Sequence, residues 1–401
     1  MKSDKIFLML YNPNVFNGAG AMSRILSIKN NLKRNYKLKF IILLSPNRFF
    51  KFILNSDFRN KYFENFSRKD CYILPILHPL HKLILIDLML IKFYNAFIRL
   101  KNEIIQCETE VPSYLSASFK DSNNLIIYDK HGLSFEESKL KLDLNIKNEA
   151  KKLNMAECIE KNAISNADII ICVSTVFKRI LREKFHFDKK IIVLPMLIDP
   201  NFFLFDTAKR KLIRNELKFN GKLVLVYSGS ITKYQKFKSM VSFFKRFKAV
   251  HLNSKFLILT QPQFNYKIIK YLNELEINSD DFIIKNLNFD QVSDYLSASD
   301  MGLLFRDDIL LNNVSSPTKL LEYLSSGVYP IITPNIGDSN QLLTSFSYGI
   351  TIENLDSEFT ISEVINDYNS KEHLRELISL RVRQKYNWET YLKSIGEIYA
   401  K

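Results

Sequence analysis

The sharpest chemical signal in the chain is Ser315-Ser316-Pro317-Thr318-Lys319-Leu320-Leu321-Glu322-Tyr323-Leu324, closed by Ser326-Gly327. It predicts a short helix with Ser316 as N-cap, Pro317 in the first helical position and Gly327 just past the end. Lys319 then falls in the first turn, where the macrodipole favours a carboxylate and a cation costs roughly a few tenths of a kcal/mol. A bound anion removes that conflict, because a helix N-terminus offers free N–H groups and positive potential. Glu322, three residues on, shares the face of Lys319. A carboxylate one turn below a phosphate site can accept two hydrogen bonds from a sugar diol. Phosphate plus ribose is the outline of a nucleoside diphosphate. The plainer alternative is a Ser-Pro helix start whose lysine points into water. Its neighbours favour a site: the apolar runs Met301–Phe305 and Val328–Thr333 flank the helix. They place the loop at the carboxyl end of a strand, where open α/β sheets bind ligands.

Three further loops carry candidate residues. Asn17-Gly18-Ala19-Gly20-Ala21 follows the first apolar run, and its small residues let a ligand approach the backbone. It is not the dinucleotide fingerprint: Ser23 stands where the third glycine would be, and the second strand ends in Leu44-Ser45-Pro46 with no acid for a ribose. A tight strand-to-helix turn is the competing reading. Tyr128-Asp129-Lys130-His131-Gly132 puts Asp129 and His131 at a strand's carboxyl end, where His131 could donate to a sugar hydroxyl or take a proton near neutral pH. Tyr227-Ser228-Gly229-Ser230 is followed by Lys233 and Lys236. Gly229 allows the backbone near a phosphate and either lysine could neutralise it. Arg306, just past another strand, could join them. No D-x-D sequence occurs, so a departing diphosphate would be offset by lysine, arginine and helix dipoles rather than by a metal.

These loops need a sheet to hold them. Apolar runs at Ile6–Leu10, Leu38–Leu44, Tyr72–Ile76, Ile104–Cys107, Leu125–Asp129, Ile169–Val173 and Ile191–Leu194 alternate with helical stretches. The pattern restarts at Leu223–Tyr227, Phe256–Thr260, Phe282–Ile284, Gly302–Phe305 and Val328–Thr333. Continuous apolar strands separated by helices indicate parallel sheets covered on both faces. Two doubly wound α/β units in series follow, about 200 residues each. We place the first at 1–200, the second at 201–385, and a terminal helix at 386–401, opened by the only tryptophan, Trp388, that could pack back on the first. A helix from Asp206 to Leu217, capped by Asp206 or Thr207, would link the units with Lys209, Arg210 and Arg214 on its solvated face.

Composition narrows the partners. The net charge is +15, from 57 basic and 42 acidic residues. That excess suggests an anionic partner. Without a helix-turn-helix, aromatic RNA-binding or zinc-finger signature, a phosphorylated ligand or an anionic membrane surface fits better than nucleic acid. Cys71, Cys107, Cys158 and Cys172 are scattered, which fits a reducing cytosol and argues against zinc or disulfides. His78 and His81 are spaced i,i+3 with no further ligand nearby, so structural roles are expected. The polar start Met1-Lys2-Ser3-Asp4 does not resemble a signal peptide. Leu83 to Ile98 is apolar but broken by Asp87, Lys92 and Asn95; it is too short and charged to span a bilayer and reads as a buried or interfacial helix.

Together these residues resemble the GT-B fold glycosyltransferases of the large retaining group called family 4. The resemblance runs over nearly the whole chain. It includes the Gly18–Gly20 turn, Asp129-Lys130-His131-Gly132, Ala167-Asp168-Ile169-Ile170-Ile171-Cys172-Val173-Ser174, Pro195 to Phe203, Ser228-Gly229-Ser230, and the Trp388 helix. The strongest match is Ser316-Pro317-Thr318-Lys319 through Glu322 to Gly327, with Pro330-Ile331-Ile332 behind it. It implies two Rossmann-like domains facing across a cleft, the second holding a sugar-nucleotide donor and the first an acceptor. It assigns Glu322 to the donor ribose, and Lys233 or Lys236 with Ser316, Thr318 and Lys319 to the diphosphate. Gly229, Ser230 and Arg306 join the donor side, and Gly18, Gly20 and Asp129 the acceptor side. His131 would contact the transferred sugar, so His131, Lys236 and Glu322 are the candidate catalytic set. There are two departures: Val314 stands eight positions before Glu322 where many members have a second glutamate, and Ser230 stands where many have arginine. Both fit a subgroup with the Ser-Pro-Thr-Lys variant.

The implied activity is retaining sugar transfer, without a cofactor or obligatory metal, to a lipid-linked or saccharide acceptor in surface polysaccharide assembly. The implied setting is cytoplasmic and peripheral on the inner membrane face. A nucleotide-sugar epimerase of the same fold, or a non-catalytic partner subunit, are the alternatives.

Overall fold

The computed structural model describes residues 5–13, 21–78, 84–142, 146–232 and 234–399. Gly18, Gly20, His81 and Lys233 lie outside the described residues. The chain divides into two compact units: one runs to Pro195 and takes in the residues from Tyr391 onward, the other spans Met196–Thr390.

The first unit is built on a 7-stranded sheet of β1 (Lys5–Tyr11), β2 (Lys37–Leu44), β3 (Cys71–Pro75), β4 (Ile104–Glu108), β5 (Leu125–Lys130), β6 (Ile169–Cys172) and β7 (Lys190–Val193). The order is β3-β2-β1-β4-β5-β6-β7, and every pairing is parallel. The second holds a 6-stranded sheet of β8 (Leu223–Ser228), β9 (Ser254–Leu259), β10 (Phe282–Lys285), β11 (Met301–Leu304), β12 (Tyr329–Ile332) and β13 (Ile350–Thr351), in the order β10-β9-β8-β11-β12-β13. It is also parallel throughout. Central strands such as Ile6–Leu10 and Val224–Tyr227 are buried along their whole length, which is why they read as unbroken apolar runs. In each sheet the strand order reverses beside its first strand: between β1 and β4, and between β8 and β11. The loops leaving those carboxyl ends are the natural ligand sites.

One expectation is corrected. Arg210 and Arg214 do not lie on a solvated face. The helix Thr207–Glu216 is capped by Asp206, whose side chain accepts from the Lys209 N–H. Its two arginines reach Asp300, at 2.6 and 3.1 Å, and Arg375 of the helix Arg375–Lys385 joins at 3.1 Å. Asp300 opens β11 and is buried, so it needs countercharge, and three guanidiniums supply it. Of Lys209, Arg210 and Arg214, the lysine stays at the surface, paired with Asp294. The division between the units falls at Pro195–Met196. The final helix, Trp388–Ile395, begins in the second unit, and beyond it Tyr399 donates to Gln106 of β4 at 2.6 Å.

Candidate functional site

In the second sheet the helix Thr318–Ser325 begins one residue later than its sequence suggests. Pro317 is the N-cap, with φ −72° and ψ 119°, and gives no side-chain cap. Ser316 is drawn away because its hydroxyl accepts the Met196 N–H at 3.2 Å. The far end closes with the Gly327 N–H on the Leu324 carbonyl (3.1 Å) and the Val328 N–H on the Tyr323 carbonyl (2.8 Å). Those are the two bonds of a Schellman motif, with Gly327 left-handed at φ +71°. Tyr323 fixes the helix to the sheet. Its ring fills the space over Gly302, where a Cβ would meet ring carbon at 2.5 Å. Its hydroxyl accepts from the Ser228 N–H (3.0 Å) and donates to the Leu303 carbonyl (3.3 Å), tying the helix to both β8 and β11 at the switch point.

Lys319 lies across the end of β8. Its Nζ donates to the Tyr227 hydroxyl (3.2 Å) and to Gln235 Oε1 (3.1 Å), and sits 4.7 Å from the centre of the Tyr227 ring. Gly229 makes this possible: it has φ +131°, and a Cβ there would lie 2.4 Å from Lys319 Cε. The Tyr227 hydroxyl also contacts Gln235 Oε1 and the Ser230 carbonyl. From the end of β11, Arg306 donates through Nη1 to Ser315 Oγ (3.2 Å) and Asn312 Oδ1 (3.4 Å). Its Nε is buried with no partner. Among the described residues neither Lys319 nor Arg306 forms an ion pair. Burial, and then the charge of Arg306, pushes the Lys319 ammonium down to about 7. Burial also lowers Arg306. Burial pushes Glu322 up to about 7, offset in part by Lys319. Two cations and a helix N-terminus thus converge at the switch point with no carboxylate paired to either.

The remaining residues of this group lie around these. Thr318 and Ser316 are half-buried at the helix start. Lys236 precedes the helix Phe237–Val250 and its Nζ stands 3.8 Å from Asp307 Oδ1 at the surface. Val314 is buried.

At the carboxyl edge of the first sheet, Glu108 and Asp129 are register partners on β4 and β5. Asp129 takes a bidentate bond from Arg24, with Nε and Nη2 both at 2.9 Å. Arg24 also donates to the carbonyls of Leu194 and Pro195, each at 3.1 Å. Asp129 is fully buried with both oxygens on Arg24, and it anchors Arg24 and His131. Lys130 is buried too, on Glu160 at 2.6 Å. Of that segment His131 keeps an outlet, its side chain 18% exposed. His131 Nε2 lies 3.2 Å from Glu108 Oε2 and 3.6 Å from Asp129 Oδ2. Burial works against a charged imidazole, yet Asp129 and then Glu108 outweigh it and raise His131 to about 9. Burial and the Asp129 charge raise Glu108, whereas the Arg24 and His131 cations hold Asp129 well below the usual carboxylate range against burial. Tyr399, Gln106 and Glu108 form a chain of bonds of 2.6 and 2.7 Å behind the histidine. The ligand atoms of Glu108, Asp129 and His131 fall within 4.8 Å of one another, a spacing a metal could use. A cation there would share Asp129 with a guanidinium.

Arg24, Glu108, Tyr227 and Gln235 were not singled out from sequence. Glu108 was findable by the rule that found Asp129, since it ends the neighbouring strand. Arg24 carries no periodic signal, lying buried between the apolar positions Met22 and Ile25.

No protein-family model matches the chain, and no curated protein matches it. Solved structures do match over nearly its full length. Sucrose-phosphate synthase from Thermosynechococcus elongatus has a TM-score of 0.69 at 13% identity, with 98% of each chain covered. A glycosyltransferase from Rickettsia africae has a TM-score of 0.67 at 14% identity, covering 99% of this chain and 98% of that one. HepE from Anabaena, solved in complex with UDP, has a TM-score of 0.70 at 11% identity, with 98% of each covered. The fold is that of these two-domain Rossmann-like proteins, the architecture termed GT-B.

Proposed function

We propose that this chain is a retaining glycosyltransferase that moves a sugar from a nucleoside-diphosphate donor to a lipid-linked or saccharide acceptor in surface polysaccharide synthesis. One observation carries the reading: Lys319 and Arg306 converge on the β8/β11 switch point without a carboxylate partner, beside a helix N-terminus. A diphosphate there satisfies both cations and the free N–H groups at once. Glu322, one turn along, is in place to accept from the ribose diol. Thr318, Ser316 and the backbone at Gly229 and Ser230 complete the donor side, and Lys236 adds charge at its rim. The fold-matched HepE has been solved with UDP and with UDP-glucose, which makes a uridine nucleotide the first donor to test.

In the transfer step the bond from the anomeric carbon to the β-phosphate oxygen breaks and its electron pair stays on the diphosphate. Lys319, Arg306 and the helix N-terminus stabilise that charge as it develops, the role a metal fills in other enzymes. The acceptor oxygen bonds to the anomeric carbon on the face the diphosphate leaves, and its proton passes to the departing β-phosphate oxygen. His131, the exposed member of the first-unit cluster, is the proposed contact to the sugar in flight. The missing arginine at Ser230 is answered by Arg306, which brings a second cation from β11.

Incubating the protein with UDP-, GDP- and ADP-sugars, with and without a membrane-lipid extract, tests the reading. The expected result is acceptor-dependent release of one nucleoside diphosphate, lost in Lys319→Ala. Conversion of the donor without acceptor would instead indicate an epimerase.

A further inference from the structure

The helix Ile84–Ile98 is apolar on its exposed side as well as its buried one. Its one carboxylate, Asp87, is buried and accepts from the backbone N–H groups of Leu77 (2.6 Å) and His78 (2.8 Å). Ile91 shares the buried face with Asp87, but several of the helix's large apolar side chains face outward. Leu85, Met89, Phe93 and Phe97 are between 59% and 71% exposed, and Ile86 is exposed beside them. Spaced four apart, the first four form one stripe, about 18 Å long at the rise of an α-helix. Placing a carboxylate inside and a row of Leu, Met and Phe outside costs free energy in water. The helix Pro46–Leu54 behaves alike: none of its residues is buried, and Phe50, Ile53 and Leu54 are exposed. The two helices follow the carboxyl ends of neighbouring strands, β3 and β2. Their first turns are tied to the same stretch of chain. Arg48 donates to the Asn12 and Pro13 carbonyls, and the Tyr11 hydroxyl donates to the carbonyl of His78, whose N–H is held by Asp87.

Charge selects the occupant. Residues 46–101 carry ten basic and four acidic residues. Lys51, Lys92, Arg99 and Lys101 are exposed on or beside these helices; of the four acids Asp87 is buried, Glu64 and Asp70 are paired with Lys61 and Lys39, and Asp57 is exposed. We infer that the helices Pro46–Leu54 and Ile84–Ile98 together form a surface that seats the first unit on an anionic lipid bilayer, with the Leu85-Met89-Phe93-Phe97 stripe below the headgroups and the lysines among them. No helix among the described residues is long and apolar enough to cross a membrane, so the contact is interfacial. A second copy of the chain is disfavoured as the occupant, because it would oppose two cationic faces. The inference does not depend on the donor site.

Flotation of the full chain with vesicles tests it. Wild type is expected to float with phosphatidylcholine vesicles containing phosphatidylglycerol, far less with phosphatidylcholine alone, and less as salt is raised. Replacing Leu85, Met89, Phe93 and Phe97 together by serine should lower binding by roughly tenfold or more. K51E with K92E should lower it on anionic vesicles while leaving the apolar stripe intact. Wild type that stays unbound, serine variants that float as well as wild type, or a wild-type dimer that the serine changes convert to monomer would each overturn the inference.

Discussion

Lys319 and Glu322 set the behaviour of the proposed donor site at the scale of single residues. Both are placed by burial near pH 7, from opposite sides. A phosphate needs Lys319 charged, so bound nucleotide raises its affinity for the proton. Above pH 7 binding must therefore take up a proton, and affinity falls by up to about tenfold per pH unit. A ribose diol needs Glu322 ionised, so affinity also falls below pH 7, where the carboxyl is protonated. Calorimetric titration with UDP from about pH 5.5 to about pH 8.5 should give a maximum near pH 7. A flat profile would contradict the assignment. Lys319 was legible in the sequence because a cation in a first turn is a local misfit. Tyr227 and Gln235, which orient it, were not, since their proximity is created only when β8 meets the helix. Ser316 misled for a related reason: the N-cap preference is local, and the Met196 N–H that claims its hydroxyl is 120 residues away.

Elements are held by a few buried polar anchors, of which Asp300 is the hub of the second unit. It gathers Arg210, Arg214 and Arg375, and accepts from the Tyr368 hydroxyl and the Val224 N–H. These arginines overcome burial and hold Asp300 at about 2. The sign follows: its contribution is present above the unfolded carboxylate value of 3.8 and is lost as pH falls through about 2. D300A leaves three guanidiniums without their counter-ion and should destabilise the protein by about 3–5 kcal/mol. Urea unfolding at neutral pH measures it, and an effect below about 1 kcal/mol would show that the network is not structural. Long apolar runs gave the central strands away, because a strand buried on both faces admits little else. Ile350–Thr351 escaped, being 2 residues long and half-exposed. The arginines of the linking helix read as surface because their partner lies 86 to 90 residues away in sequence. The apolar character of residues 84–98 was plain in the sequence, but which side faces out was not: Asp87 reads as an outward charge until its bonds to Leu77 and His78 are seen.

At the scale of the whole molecule, each unit repeats one design. A parallel sheet reverses its winding beside its first strand, and polar chemistry collects at the carboxyl ends there. In the second unit the collection is cationic, with no ion pair to Lys319 or Arg306 among the described residues; in the first it is a balanced cluster of Arg24, Asp129, His131 and Glu108. That difference argues that the anionic ligand belongs to the second unit, and the net charge of +15 is consistent with anionic partners on more than one surface. The central claim is that Lys319 and Arg306 hold the diphosphate of a nucleotide. Equilibrium titration of the intact protein with UDP and with uridine tests it most directly, repeated on Lys319→Ala, with thermal unfolding to verify that the variant is folded. The account predicts that UDP binds far more tightly than uridine, and that the variant loses roughly tenfold to a hundredfold in UDP affinity while its uridine binding is unchanged. Equal UDP affinity in the wild type and a well-folded Lys319→Ala would contradict it.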